Sequence, residues 1–349
     1  MKKVTLILAL MLTSSMTFAQ DAAETAPKST PLEISGSGDL YYKYDFAKTG
    51  NILTSFATDQ NSLSLGMLDI ALKKTTGKVS FVGEVSFGPR GQYQSIPNGD
   101  GNVSNESNSF HIQNLYAIYA VSDKLSFKAG YSGTFCGYEV ISPVANFHYS
   151  TSYLFTNGPF QHAGVQANYK ITDKFGAMLG VFNDNWNVYK ADPTKGLNAV
   201  GGQLSYVSGG TSAYLNFMDG SVSGTIIDFT ATFQLTEKFK LGLNAADYSN
   251  EGDLGFTGFA LYPSVAISDN FGLGLRAEYF MTKEGSTLSG VSPDESVTAL
   301  TLSANLKAGG FTLIPEFRLD NGSEEFFSDS DMNPTKSASQ FLVAVVYGF

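Results

Sequence analysis

The sequence is short of charge and nearly devoid of cysteine, tryptophan and histidine. Charged residues make up 15% of the chain, against roughly one quarter in ordinary soluble domains. The lone Cys136 excludes an intrachain disulfide framework. His111, His148 and His162 show no recurring ligand spacing, so no metal is expected. Ser109 and Ser150 lie loosely near them in sequence, but nothing sets a nucleophile, a base and an orienting group together, so no enzyme activity is expected. The chain is acidic, with 22 Lys and Arg against 32 Asp and Glu. The absence of a basic stripe argues against a nucleic-acid partner. After residue 20 no apolar run approaches the roughly 20 residues of a membrane helix. Gly272-Leu273-Gly274-Leu275 lacks the third glycine of a dinucleotide site, so no cofactor is expected. The acidic stretch 324–331 has no ordered cation-ligand pattern and reads as a solvated loop.

What the chain does have is glycine and aromatics: 36 Gly, 27 Phe and 18 Tyr. Its mean hydropathy is near zero. Strands with one apolar and one polar face produce that average, as in a transmembrane β-barrel. The N-terminal end reads as a secretory signal. Lys2 and Lys3 precede an apolar run from Val4 to Leu12, and Thr17-Phe18-Ala19 resembles a cleavage site before Gln20. The expected division is 1–19 signal peptide, 20–32 flexible periplasmic tail and 33–349 a single barrel.

One turn recurs. Ser122-Asp123-Lys124-Leu125, Thr172-Asp173-Lys174-Phe175, Thr236-Glu237-Lys238-Phe239 and Ser268-Asp269-Asn270-Phe271 each separate two alternating runs. Ser, Thr and Asp favour tight turns through side-chain to backbone hydrogen bonds. Lys74 to Gly77, Ser208 to Gly210 and Ala308 to Gly310 fit the same role. Longer polar loops alternate with these turns near 47–60, 89–108, 137–159, 184–197, 219–223, 249–254, 283–295 and 321–338. Seven short turns and eight loops imply an all-β, transmembrane antiparallel barrel of about 16 strands, with short periplasmic turns and long outer loops. Both termini fall on the short-turn side. Pro263 and Pro315 interrupt strand-like runs and mark local ladder defects.

Period-two alternation runs throughout. Phe271, Leu273, Leu275, Ala277 and Tyr279 oppose Gly272, Gly274, Arg276 and Glu278. The last strand sets Phe341, Val343, Val345, Tyr347 and Phe349 on one face. A free apolar edge of this kind is an aggregation hazard unless it closes a barrel against lipid. A terminal aromatic after such alternation resembles the closing strand of bacterial outer-membrane barrels. It implies assembly through barrel machinery that reads Phe349. The inward face then carries Asp39, Lys43, Asp45, Glu84, Lys128, Lys170, Asp228, Lys240, Arg276, Glu278, Glu316, Arg318 and Asp320 as a mixed-sign pore wall. A plugged lumen filled by mutually paired charges is the alternative.

The segment from Gly130 to Gly164 is long, aromatic and short of charge. Phe147, Tyr149, Tyr153, Leu154 and Phe155 do not suit a loop bathed only by water. A constriction folded into the lumen is expected, with Tyr138, Glu139, Asn146, His148, Tyr149, Tyr153 and His162 as its polar and aromatic lining. Tyr149 to Tyr153 is expected to form a helical turn. Phe135, Gly137-Tyr138-Glu139-Val140-Ile141, Asn146, Tyr149-Ser150, Ser152-Tyr153, Gly158-Pro159, His162 and Gly164 resemble the β-barrel porin-2, OmpL-like family. The family's usual Thr-Pro-Phe-Gly-Tyr-Glu is here Thr134-Phe135-Cys136-Gly137-Tyr138-Glu139, which alters the turn and keeps the Gly-Tyr-Glu core. The resemblance implies an outer-membrane porin passing small hydrophilic solutes and ions by diffusion. A surface receptor, adhesin or envelope scaffold is the competing class. Outer-membrane lipid is an expected partner and a homotrimer a further expectation. The excess of acid suggests a mild cation preference, although many acids fall in outer loops.

Overall fold

The computed structural model describes residues 29–88, 96–97, 110–184, 186 and 193–349. The expected signal peptide and most of the tail, loop 89–108 apart from 96–97, and most of 185–192 lie outside the described residues. Sixteen long strands run up and down: β1 (Glu33–Asp45), β2 (Ser62–Thr76), β3 (Val79–Phe87), β4 (Phe110–Ala120), β5 (Leu125–Gly133), β6 (Gln161–Lys170), β7 (Phe175–Phe182) and β8 (Ala199–Ser208). They continue with β9 (Thr211–Gly220), β10 (Gly224–Gln234), β11 (Phe239–Asn250), β12 (Leu254–Ser268), β13 (Phe271–Thr282), β14 (Ser296–Ala308), β15 (Phe311–Gly322) and β16 (Ser337–Gly348). Every strand pairs antiparallel with its sequence neighbours, and β1 pairs with β16 to close the cylinder. Closure leaves no free edge, which is what lipid demands of a sheet.

The repeated turn does what its residues imply. Ser122 Oγ accepts from the Lys124 and Leu125 amides at 3.3 and 3.2 Å. Thr172 and Thr236 repeat the arrangement, ending at Phe175 and Phe239. The fourth copy differs: β12 runs through Ser268 after a register shift, and only Asp269 and Asn270 turn. Gly209 and Gly210 both have positive φ, the requirement of a type I′ hairpin. Two of the expected long loops are short. Three residues, 221–223 and 251–253, suffice because the flanking strands extend further than the hydrophobic pattern suggested. The tail ends in contact, not free: the Thr30 amide donates to the Thr75 carbonyl at 3.0 Å.

The faces follow the alternation. Outward positions such as Leu63, Leu179 and Leu302 are exposed, and their alternation partners point inward. On β16, Phe341, Tyr347 and Phe349 face out while Leu342, Ala344 and Val346 are buried inside. The Phe349 amide and carbonyl bond back to Gly36 at 3.1 Å each. The two prolines fall at ladder gaps. Pairing of β12 with β13 omits 262 and 263, and pairing of β14 with β15 omits 304 and 305, opposite Pro315.

Candidate functional site

The aromatic segment does enter the lumen. Residues 134–160 link β5 to β6 and lie against the inner wall from β7 round to β16 and β1. They contain a 3-10 turn (Pro143–Ala145) and a five-residue helix, α1 (Tyr153–Asn157). The helix starts at Tyr153 and not at Tyr149. Ser152 caps it by accepting from the Phe155 amide at 2.9 Å. Residues 149–152 are not helical: the Tyr149 and Ser150 amides turn toward Glu316 of the wall and the Ser152 amide toward Glu139 of the loop.

Those carboxylates hold the loop. Glu316 accepts from the Tyr149 and Ser150 amides at 2.9 and 3.1 Å. Glu278 accepts from the Tyr153 and Leu154 amides at 3.0 and 2.8 Å. Glu139 turns back inside the loop to take the Ser152 amide at 2.8 Å. Two arginines balance this charge. Arg276 donates to Glu139 at 2.7 Å and to the Ser150 carbonyl at 2.6 Å. Arg318 pairs with Asp320 through two nitrogens at 2.8 and 2.9 Å. The Thr151 carbonyl accepts from both guanidinium groups, at 3.2 and 2.8 Å. Tyr153 reaches Asp320 through its hydroxyl at 2.9 Å, and the Tyr149 hydroxyl reaches Asp39. His148 Nδ1 lies 2.7 Å from Ser303 Oγ, which itself donates to Glu316.

Apolar seats complete the fit. The Phe147 ring rests where a Cβ on Gly274 would stand, and the Tyr138 hydroxyl rests on Gly242. Tyr138 stacks on Tyr262 with centroids 4.4 Å apart. Inner-wall glycines therefore make room for rings of the loop.

Several expected lining residues are thus corrected. Arg276 and Arg318 have no exposed surface, and Glu278 and Glu316 are buried with them. They face the loop, because its unpaired amides and carbonyls need partners that the lumen water would otherwise supply. Glu139, His148, Tyr149 and Tyr153 are buried on the loop's wall side for the same reason. Lys43 is buried and donates to the Thr58 carbonyl at 3.0 Å. Asp228 is buried too, accepting from the Gly137 amide, Asn216 and Asn244. His162 faces inward but is buried against Phe135 and Phe182, 2.8 Å from Thr134 Oγ1. Asn146 is half-buried and clasps both the amide and the carbonyl of Val140. Glu84, Lys128, Lys170 and Lys240 stay partly exposed on the inner face of β3, β5, β6 and β11, as does Tyr138 on the loop.

Sequence reasoning missed the first outer loop. Residues 46–61 also fold inward: the Ser55 amide donates to Thr156 Oγ1 at 2.8 Å, and Thr151 Oγ1 donates to the Ser55 carbonyl at 2.8 Å. Phe56 packs on Phe155 and Phe160. The signal was present in Ile52, Leu53 and Phe56, too apolar for a purely solvated loop. At the outer rim, Asp184 accepts from Ser221, Ser223 and the Val222 amide. Burial pushes its carboxyl up, but these hydrogen bonds outweigh that and hold it below its ordinary value.

Comparison with known proteins supports the same architecture. The family model described as "Putative beta-barrel porin-2, OmpL-like" matches residues 31–349. No curated protein sequence matches the chain. Among solved structures, an anion-selective porin from Comamonas acidovorans is 13% identical, with a TM-score of 0.63 over 92% of this chain and 100% of that one. OmpT of Vibrio cholerae, solved in a trimer form, is 12% identical, with a TM-score of 0.59 over 92% of this chain and 99% of that one. The outer-membrane channel DcaP of Acinetobacter baumannii is 12% identical, with a TM-score of 0.59 over 93% and 100%.

Proposed function

This chain belongs to the β-barrel porin-2, OmpL-like family of the outer membrane, and we propose how its lumen works: small hydrophilic solutes pass between the inserted loop and the facing wall. The observation that carries this is the row of half-exposed inner side chains that 134–160 leaves uncovered on β3 to β5. The loop's contacts run from Phe182 on β7 and Gln203 on β8 round to β1, whereas Glu84, Asn114, Tyr116 and Lys128 on β3, β4 and β5 stay half-exposed. A barrel of about 16 strands is wide enough for an aqueous channel beside one folded loop.

Residues 1–19 act in this reading as a signal peptide cleaved near Ala19-Gln20. Phe349, whose side chain points outward at the closing seam, serves as the mark read by the assembly machinery. We place the functional unit as a homotrimer, the form in which the structurally similar OmpT has been solved. No step of this reading requires catalysis, a metal or a cofactor. A second reading, a plugged barrel used as a surface receptor, is favoured by the apolar cover that Ile52, Phe155 and Phe160 form beside the loop.

Single-channel recording of refolded protein in a planar bilayer tests both. Stable ohmic steps that enlarge when 144–156 are deleted support the channel. Absence of conductance from protein shown folded by heat-modifiable gel mobility refutes it and leaves the receptor reading.

A further inference from the structure

Asp39, Asp228, Glu278, Glu316 and Asp320 inside this barrel hold the loop, and the lysines below it do not. Below the loop, toward the short turns, three lysines share the inner face. Lys240 is the next inward position after Gly242, the seat of the Tyr138 hydroxyl. Lys307 is the next inward position after Asn305, whose amide donates to the Phe147 carbonyl at 2.9 Å. Lys128 lies on β5, bonded to Ser132 Oγ at 2.9 Å and set over the Tyr116 ring. Among the described residues no carboxylate lies within ion-pair distance of any of the three.

Most of the other inward charges at this level cancel or are engaged. Lys170 pairs with Asp173 at 2.7 Å, and Lys73 with Glu33 at 3.5 Å. Asp69 is buried and bonded to Ser37. Glu84 remains as a single acid, accepting from Asn114. The loop itself offers no counter-charge. Its one acid, Glu139, is consumed by Arg276, and it has no lysine or arginine. Its half-exposed apolar residues away from those seats include Val140 and Ile141.

We infer that the constriction selects small anions, through a collar formed by Lys128, Lys240 and Lys307, although the chain as a whole is acidic. This rests on the channel reading. An apolar loop surface beside the lysine collar suits organic anions, carboxylates with a short apolar body. The acids of the outer loops do not reverse the preference at high salt, because their reach shrinks to about 3 Å near 1 M ionic strength. The lysines stand beside the path itself.

The test is the reversal potential of single channels in a potassium chloride gradient at high salt. Chloride should permeate better than potassium, by roughly threefold per lysine passed at close range after screening. The triple variant Lys128→Gln, Lys240→Gln, Lys307→Gln should bring the ratio to near one. Lys124→Gln, in an exposed turn, should leave it as in the wild type. A wild-type channel that conducts without chloride preference overturns the inference and leaves the channel reading standing. So does a preference unchanged in the triple variant. A folded protein that conducts nothing overturns both together.

Discussion

Cutting the Arg276 anchor should turn a fixed constriction into a fluctuating one. Arg276→Met removes a guanidinium with no exposed surface and keeps most of its volume. It takes the cation from the Glu139 carboxylate, strands the Ser150 carbonyl and leaves the Thr151 carbonyl to Arg318 alone. Removing one member of a buried pair costs about 3–5 kcal/mol. The loop can escape that cost by leaving the wall, where water satisfies the same groups. The ratio of released to seated loop should therefore rise by roughly two to four orders of magnitude. The barrel ladders do not depend on Arg276 side-chain contacts, so heat-modifiable mobility should change little. Single-channel traces should show extra, larger conductance levels and more open-channel noise. Adding Glu139→Gln should recover part of the loss, because the remaining partner no longer carries a buried charge. One unchanged conductance level in Arg276→Met, with wild-type noise, would refute the claim that this ion pair seats the loop.

Three further outcomes follow from local geometry. Asp184 lies below its ordinary carboxylate value in the fold. Its contribution is therefore complete above the unfolded value of about 3.9 and is lost as pH falls through the lower folded value. Amide exchange at Val222 and Ser223 should accelerate across that acid window, and Asp184→Ala should abolish the pH dependence at a cost of about 1.5–3 kcal/mol to the rim turn. Gly274→Ala puts a Cβ into the Phe147 ring; overpacking of about 1–3 kcal/mol should unseat the ring, read as a changed conductance step with an intact barrel. Phe349→Ala leaves the backbone bonds to Gly36 available. It should lower the amount of assembled barrel in cells while leaving the conductance of refolded protein unchanged.

The barrel was legible because its determinants are local. Period-two alternation sets the face of each residue, and Thr172 or Thr236 closes its own turn within three residues. Loop lengths were less legible. At 219–223 and 249–254, polar residues such as Asp219 and Ser249 still belong to strands, because beyond the lipid an outward position has no need to be apolar. Which inward charges meet water was not legible at all. Glu139 finds Arg276 from 137 residues away, and Tyr149 finds Glu316 from 167. Alternation says that Arg276 points inward; only the path of the loop says that something lies on top of it.

That path also accounts for the chemistry of the wall. Tyr149, Ser150, Ser152, Tyr153 and Leu154 carry backbone amides that no ladder or long helix can satisfy, in a stretch shielded from water. Three carboxylates take all five: Glu316 takes two, Glu139 one and Glu278 two. Neutral acceptors would serve less well, because a carboxylate accepts through both oxygens and bonds more strongly when charged. Burying negative charge then calls for cations beside it: Arg276 contacts Glu139, and Arg318 contacts the neighbouring Asp320. Arginine suits it because one planar fork can meet a carboxylate and a backbone carbonyl together. Such a network adds little net stability, since desolvation offsets most of the attraction, but it penalises every other seating of the loop. The wall thus fixes where the constriction lies, and the lysines left out of the network set the charge that a passing solute meets.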